Sequence, residues 1–340
     1  MQEGTGRSPE EIEADIQGRN RTHQEGLGQA WAVVTGQNPA NVVPQVVGTV
    51  LHEGGTRPPW QWKRDGLEYV FMAWPSDQPI RAGVLMRGEE GGQMKPATAI
   101  PLIEGLPNDM CVEEVHPWQD GCGANVSVIM TEGHNPMWFY DPFYHRDQDD
   151  LTPGVTHTFL LAGLAFGLGR ALLDEMTLTR GERFEAYAKA WLEENPGSSR
   201  LDVPPLKLRI AGRHLIFPGR FFCEYQIRAP VEKIDECMLE RMPVKALYLR
   251  FPFEDRPPML LPVYATQLVL GEYAPKVGDE VDAYVWLQGR IADGGGSDAE
   301  AVPEAGDGVA PEAGDGAGPG TGMFPGTAPV TPRNEGDPQG

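Results

Sequence analysis

VDAYVWLQ, residues 281–288, is the stretch of this sequence with the clearest structural pattern. Apolar residues stand at every second position, from Val281 to Leu287, and alternate with Asp, Tyr, Trp and Gln. Because successive side chains of a strand point to opposite faces, this alternation predicts a strand with one face in a core and the other towards solvent. The chain has 340 residues, more than one average domain of roughly 100 to 200 residues, so we expect further modules around this strand.

An imperfect internal repeat extends outward from this region. Val112-Glu113-Glu114-Val115 resembles Val231-Glu232-Lys233-Ile234. In each segment a Pro-Met pair, a Pro-x-Tyr triplet and a glycine-marked turn follow in the same order. In the first copy they stand at 136–137, 142–144 and 153–154, and in the second copy at 258–259, 262–264 and 275–278. The shared order and spacing predict a duplicated module of roughly 60 to 70 residues.

The second copy resembles a known class of small domain. In residues 275–291 a Gly-Asp turn, Gly278-Asp279, leads into the alternating strand, and this resembles the closing strand of small five-stranded barrels of the OB type. SH3-like barrels use similar turns. The resemblance covers residues 224–292 and, more loosely, residues 111–165. It implies an α+β protein, mostly β, with two diverged OB-like small barrels joined by a helical segment.

Other segments predict the elements around these modules. Ser8-Pro9-Glu10-Glu11 combines a cap residue, a first-turn proline and a following glutamate, which predicts a helix start. Residues 67–74 and 80–86 predict a β-hairpin. The apolar run at 160–173 is interpreted as a buried helix, and residues 180–194 as an amphipathic helix.

The predicted organisation has five segments. They are an N-terminal helical and irregular segment (1–56), a β-rich module with the first OB-like repeat (57–176), a helical linker (177–205), the second OB-like module (206–292) and an acidic tail (293–340). The tail is rich in Gly, Ala and Pro. Such a composition buries too little apolar surface to offset chain entropy, so the tail is predicted to be disordered.

Charge narrows the class of partner. The formal net charge is −21, and nine acidic residues with the single Arg333 give the tail −8 of it, which leaves −13 on residues 1–292. A body of this sign repels phosphate backbones at long range and favours basic protein partners. We find no signal-peptide pattern and no apolar run of the roughly 18 residues that a membrane span requires. The sequence therefore predicts a cytoplasmic protein with no membrane partner, whose four cysteines are buried apolar side chains.

Two basic and aromatic stretches are candidates for single-stranded nucleic-acid binding. Aromatic faces stack bases while guanidinium groups hold phosphates. The alternative is that the aromatic side chains are core and the cations line a solvated strand face. The candidate residues are Lys207, Arg209, Arg213, Arg220, Phe221 and Arg228 in one stretch, and Trp60, Trp62 and Lys63 in the other.

A histidine-rich part of the first module suggests a metal-dependent enzyme as a further hypothesis. Imidazole and carboxylate groups together hold divalent metals. No fixed-spacing signature such as His-Glu-x-x-His is present, and solvated loop charges are the alternative interpretation. The candidate ligands are His116, His134, His145, Asp147 and His157.

No catalytic motif supports an enzyme. Gly167 and Gly169 begin a dinucleotide fingerprint, but Leu172 replaces its third glycine and no βαβ pattern surrounds it. We therefore predict no catalytic residue and no cofactor. The preferred hypothesis is a non-enzymatic binding or adaptor protein whose OB-like modules contact another protein, with nucleic-acid binding and a metal-dependent enzyme as alternatives.

Overall fold

Strands dominate the part of the chain that the computed structural model describes, which is residues 23–53, 60–89, 92–119, 121–130, 136–219, 221–253 and 258–292. The mostly β prediction is confirmed. The helix start predicted at Ser8 and the tail at 293–340 lie outside the described residues. The strands are β1 (Trp60–Arg64), β2 (Leu67–Trp74), β3 (Ile80–Gly88), β4 (Met94–Ile103), β5 (Leu106–Pro117), β6 (Ala124–Ile129), β7 (Met137–Asp141), β8 (Thr156–Arg170), β9 (Glu175–Leu178), β10 (Leu206–Arg209), β11 (Leu215–Pro218), β12 (Glu224–Leu239), β13 (Met242–Phe251), β14 (Met259–Thr266) and β15 (Glu280–Ile291).

A few helices accompany these strands. They are α1 (His23–Thr35), α2 (Pro39–Glu53), α3 (Tyr144–Asp147), α4 (Glu182–Glu194) and α5 (Gln267–Leu270), with one 3₁₀ turn at Arg200–Asp202. The amphipathic helix predicted at 180–194 is confirmed as α4, which buries Phe184 and Ala188 against Val203. Among the residues described, no helix combines the length and the apolar character needed to cross a bilayer.

The described strands form three sheets. The predicted hairpin is confirmed as β2 and β3, which belong to an antiparallel sheet of order β1-β2-β3-β4. Strands β9 and β10 form a separate two-stranded ribbon. The large mixed sheet has nine strands in the order β11-β12-β13-β14-β8-β15-β7-β6-β5, so strands from both predicted modules lie in one sheet.

Two additional pairings, β12 with β15 and β8 with β5, close this large sheet into two circuits of five strands. One circuit is β12-β13-β14-β8-β15, and the other is β5-β6-β7-β15-β8. Both contain the antiparallel pair β8–β15, whose register runs from Phe159 opposite Ile291 to Arg170 opposite Val281. Each circuit has one parallel pairing, β14 with β8 or β15 with β7. Strands β8 and β15 therefore belong to both circuits.

The helix predicted at residues 160–173 is wrong, because this segment lies almost entirely in strand β8. Strand β8 pairs with β5, β14 and β15, and most of its central residues are buried on both faces. A strand that is buried on both faces loses its alternation, and its continuous apolar run then cannot be distinguished from a buried helix by periodicity.

Two apolar layers hold these elements together. The first lies inside the circuits and includes Phe139, Phe159 and Leu247. The second packs α1, α2 and the four-stranded sheet onto the outside of the nine-stranded sheet, where the buried Trp31 donates its indole N–H to the Ala99 carbonyl at 2.9 Å. Of the four cysteines, three are buried as predicted and Cys111 is half-buried; none of these four described residues forms a disulfide.

Candidate binding groove

The outer face of β11, β12, β15 and β8 forms one wall of a groove of about 470 Å³, which we call the outer-face groove. The β9–β10 ribbon and the turn that follows it contribute to the opposite wall. The lining is mostly apolar. It consists of Gly167, Met176, Ile210, Leu215, Phe217, Gln226, Ile227, Arg228, Asp282, Ala283 and Tyr284.

Two rows of side chains cross the four strands in register on this outer face. The intervening residues Tyr225, Ile227 and Val285 pack into the core inside the circuits, so strand alternation directs the rows outward. The first row is Phe217, Gln226, Tyr284 and Gly167, and the second is Leu215, Arg228, Asp282 and Gly169.

Glycines end both rows and leave the groove open. A Cβ atom added at Gly167 would come no closer than 4.0 Å to Tyr284 Cβ, and one added at Gly169 would meet no atom within 4 Å. Glycine in a strand interior often marks a place where a ligand or another backbone approaches closely. These two glycines are the sequence signal that could have located the groove.

Arg228 forms the polar floor of the groove. Its guanidinium is buried, with 4% of the side chain exposed, and donates to both carboxylate oxygens of Asp282 at 2.6 and 2.5 Å. The remaining terminal nitrogen donates to the Leu173 carbonyl at 2.5 Å. The hydrogen bond with Asp282 raises the pKa of Arg228. This predicted phosphate-binding residue is therefore engaged in an internal ion pair.

The other described cations of this stretch do not line the groove. Along β10, Lys207 and Arg209 are exposed and alternate with the half-buried Leu206 and Leu208, so the two cations share the ribbon's solvent face. Arg213 is exposed in the turn after β10. Phe221 is half-buried, and Arg220 lies outside the described residues.

The second predicted nucleic-acid stretch is divided between two faces of β1. Trp60 and Trp62 are half-buried and pack against Phe71 and Tyr69, with ring centroids 5.9 and 5.5 Å apart. Lys63 is exposed on the opposite face of the strand. The structure does not bring this cation and the two indole rings onto one surface.

The predicted metal ligands are dispersed. His116 contacts Glu114 at 2.5 Å, His157 contacts the Asp150 carbonyl at 2.8 Å, and the buried Asp147 accepts from Arg146. Burial lowers the pKa of His145, and His134 lies outside the described residues. In the described ranges, no three His, Cys, Asp or Glu side chains are grouped as a metal site would require.

A group of partly and fully buried ionisable residues was not predicted from the sequence. Glu104 pairs with both Arg81 and Arg290. Asp141 is fully buried; one of its oxygens accepts the Phe143 N–H at 2.7 Å, and the other has no hydrogen-bond partner among the described residues. Desolvation raises the pKa of Asp141 well above its ordinary value. These residues come from positions far apart in the chain, and no local pattern relates them.

Comparisons with protein families, with curated proteins and with solved structures find no match to this chain.

Proposed function

We propose that this protein binds a partner protein by accepting an extended apolar segment of it into the outer-face groove, without catalysing a reaction. The observation that carries the proposal is an open, mostly apolar groove whose polar floor, Arg228 with Asp282, is already paired. A volume of about 470 Å³ is within the range of roughly 300 to 1,000 Å³ that is usual for binding pockets.

An extended segment fits this groove because of β11. This strand ends the nine-stranded sheet and pairs only with β12 among the described strands. An unpaired edge offers backbone donors and acceptors to an added strand, and neighbouring pockets then select its side chains. Leu215 and Phe217 stand on the groove side of β11, and Phe217 is exposed to 36%.

We further infer that the two circuits are diverged OB-type barrels, which correspond to the modules predicted at 57–176 and 206–292. The circuits of five strands and their matching order of elements support this reading. In this arrangement each barrel is completed by the last strand of the other, β15 or β8.

A protein partner is favoured over single-stranded nucleic acid by the positions of the cations. Lys207 and Arg209 lie on the ribbon's solvent face, and Arg228 is neutralised by Asp282. A groove that binds single-stranded nucleic acid needs cations beside aromatic faces. In addition, the net charge of −13 on residues 1–292 repels the phosphate groups of a nucleic acid.

Selection from a phage-displayed library of random peptides tests the proposal. We expect the wild-type protein to enrich apolar, extended sequences. The Gly167→Leu substitution, which fills the groove, should lower the affinity for a selected, fluorescently labelled peptide by about tenfold or more. Thr177→Leu adds a similar side chain on the solvent face of the ribbon and serves as the matched control. Failure to enrich any peptide, or equal binding by Gly167→Leu and the wild type, would refute the proposal.

A further inference from the structure

A second surface lies on the outer face of β5, β6 and β7. Glu114, Ser127 and Trp138 are neighbours in register across these three strands. Val126 and Phe139, at alternate positions of β6 and β7, pack inside the circuits, so the row of three faces outward. We call this surface the aromatic patch; its partly exposed residues are Glu113, Glu114, His116, Trp138 and Phe222, and Ser127 is buried.

Stacked rings form the centre of the aromatic patch. The rings of Trp138 and Phe222 lie nearly parallel, at 6° and with centroids 4.6 Å apart. The His116 ring lies 4.8 Å from Trp138 and 5.8 Å from Phe222. Trp138 and Phe222 therefore each cover one face of the other, while His116 is tilted by 51° and 57° to them. We call these three partly exposed rings the platform.

Buried contacts hold the platform in place. The Trp138 backbone N–H donates to the Tyr225 hydroxyl at 2.6 Å. Next to Phe222, the buried Cys223 thiol donates to Asn125 at 3.3 Å, and the Cys223 carbonyl accepts the Leu287 N–H at 2.7 Å. These contacts fix the backbone at Trp138 and beside Phe222, and the stacking of the two rings restricts their side chains, so little side-chain freedom is lost when a ligand binds.

Two carboxylates border the rings. Glu114 is 56% exposed and lies 2.5 Å from His116, while Glu113 accepts the Ser127 hydroxyl at 3.0 Å. Aromatic faces attract cations through their quadrupole. A planar guanidinium can stack on a ring and bind a carboxylate in the same plane, which the ammonium group of lysine cannot do.

We propose that the aromatic patch binds an arginine side chain in a basic segment of a partner protein. The net charge of −13 on residues 1–292 steers a basic partner towards the molecule. The same carboxylates repel phosphate, so the platform does not suit a nucleic acid. The occupant stacks its guanidinium on Trp138 or Phe222 and pairs with Glu114, in competition with His116.

A fluorescein-labelled peptide of alternating Gly and Arg tests the proposal by fluorescence polarisation at low ionic strength, beside matched peptides with Lys and with citrulline, the neutral isostere of Arg. We expect the Arg peptide to bind at least about fivefold more tightly than the Lys peptide, and the citrulline peptide not to bind. Glu114→Gln and Trp138→Leu should each lower the affinity for the Arg peptide about fivefold.

Glu272→Gln is the matched control, because Glu272 is an exposed acid outside the aromatic patch and its loss removes the same unit of charge. Equal effects of Glu114→Gln and Glu272→Gln, or equal affinity for the Arg and Lys peptides, would show that binding depends only on non-specific electrostatic attraction. Either result would overturn the proposal. Glu114 is exposed, so the test stands even if Trp138→Leu fails to fold. Gly167→Leu should leave Arg-peptide binding unchanged, which separates this surface from the outer-face groove.

Discussion

The carbonyl oxygens of Val112 and Val231 are hydrogen-bonded in the same way. Each accepts the N–H of a glycine at 2.8 Å, Gly154 for Val112 and Gly278 for Val231. A β-bulge follows directly after each valine in its strand. The two segments of the sequence repeat therefore contain the same local structure at matching positions.

Substitution of either glycine by alanine should destabilise the protein by about 1 kcal/mol. Gly154 and Gly278 have φ angles of +87° and +88°, and nothing lies within 4 Å of a Cβ added at either position. Backbone strain is therefore the only expected cost, and it should be similar at the two sites. Urea unfolding monitored by circular dichroism measures the difference.

Gly169→Ala is the control for these two variants, because Gly169 also has open space but does not have a left-handed backbone. It should change the free energy of unfolding by less than about 0.5 kcal/mol. A loss at Gly154 that is several times the loss at Gly278 would argue that the two turns are not equivalent.

Replacement of Arg228 and replacement of Asp282 should lower the free energy of unfolding by different amounts. Only 4% of the Arg228 side chain is exposed, against 47% for Asp282. Asp282→Ala leaves a buried cation without its counter-charge and should cost about 2 kcal/mol, less than a fully buried pair would because water reaches this site. Arg228→Met keeps most of the apolar contact and leaves a carboxylate that water can solvate, so it should cost about 1 kcal/mol. Urea unfolding of both variants gives the order, and the reverse order would contradict this account.

Asp141 should make the stability of the protein depend on pH. Its pKa in the folded state lies well above its ordinary value of 3.8, chiefly because of burial. Above pH 4 the folded protein keeps a proton that the unfolded chain loses, so the free energy of unfolding falls as pH rises towards the folded-state pKa. Asp141→Asn keeps an acceptor for the Phe143 N–H and removes this titration. It should gain stability relative to the wild type as pH rises above about 4 in urea unfolding.

Asp235→Asn is the control, because the fold shifts the pKa of Asp235 in the opposite direction to that of Asp141. The hydrogen bond from Lys233 lowers the pKa of Asp235, so this half-buried carboxylate stabilises the fold above its unfolded pKa and loses that contribution as pH falls. If Asp141→Asn instead destabilised the protein at neutral pH, the carboxylate would be ionised and held by Arg290 and Arg146.

Phe143 joins the four-stranded sheet to the nine-stranded sheet, and its truncation should be costly. Its ring is fully buried and lies 4.6 Å from Phe71 and 5.2 Å from Trp60, centroid to centroid. Phe143→Ala should lower the free energy of unfolding by about 3 kcal/mol through lost burial and a residual cavity. Leu172→Ala, at a side chain that is 81% exposed, should stay within about 0.5 kcal/mol in the same thermal or urea unfolding assay. Equal losses would show that Phe143 does not connect the sheets.

Local patterns predicted the hairpin and one helix. Segments rich in branched and aromatic residues on either side of a turn indicated β2 and β3, and apolar residues at intervals of three and four indicated α4. The apolar run at 160–173 failed as a helix because β8 is covered on both faces. Its true partners, β5, β14 and β15, are remote in sequence, so no local pattern shows that they cover it.

The candidate sites were less predictable than the fold. Proximity in sequence grouped Lys207, Arg213 and Arg228, but strand alternation and pairing separate them. On the outer face Arg228 pairs with an acid 54 residues later in the chain, whereas Lys207 is exposed on the ribbon. Trp138 and Phe222 meet across 84 residues, and neither stood out in the sequence as a partner of the other.

By itself, the sequence determined the strand at residues 281–288, the order of matching residues around Val112 and Val231, and the division of charge between residues 1–292 and the tail. These properties depend on side-chain direction along one strand and on composition, which are local. The prediction that this strand has one face towards solvent is wrong at Trp286 and Gln288, which are both buried. Only the tertiary structure decided that β8 and β15 pair with each other and close both circuits. Backbone pairing between distant strands determines which outer faces remain uncovered, and it therefore positions the outer-face groove and the aromatic patch.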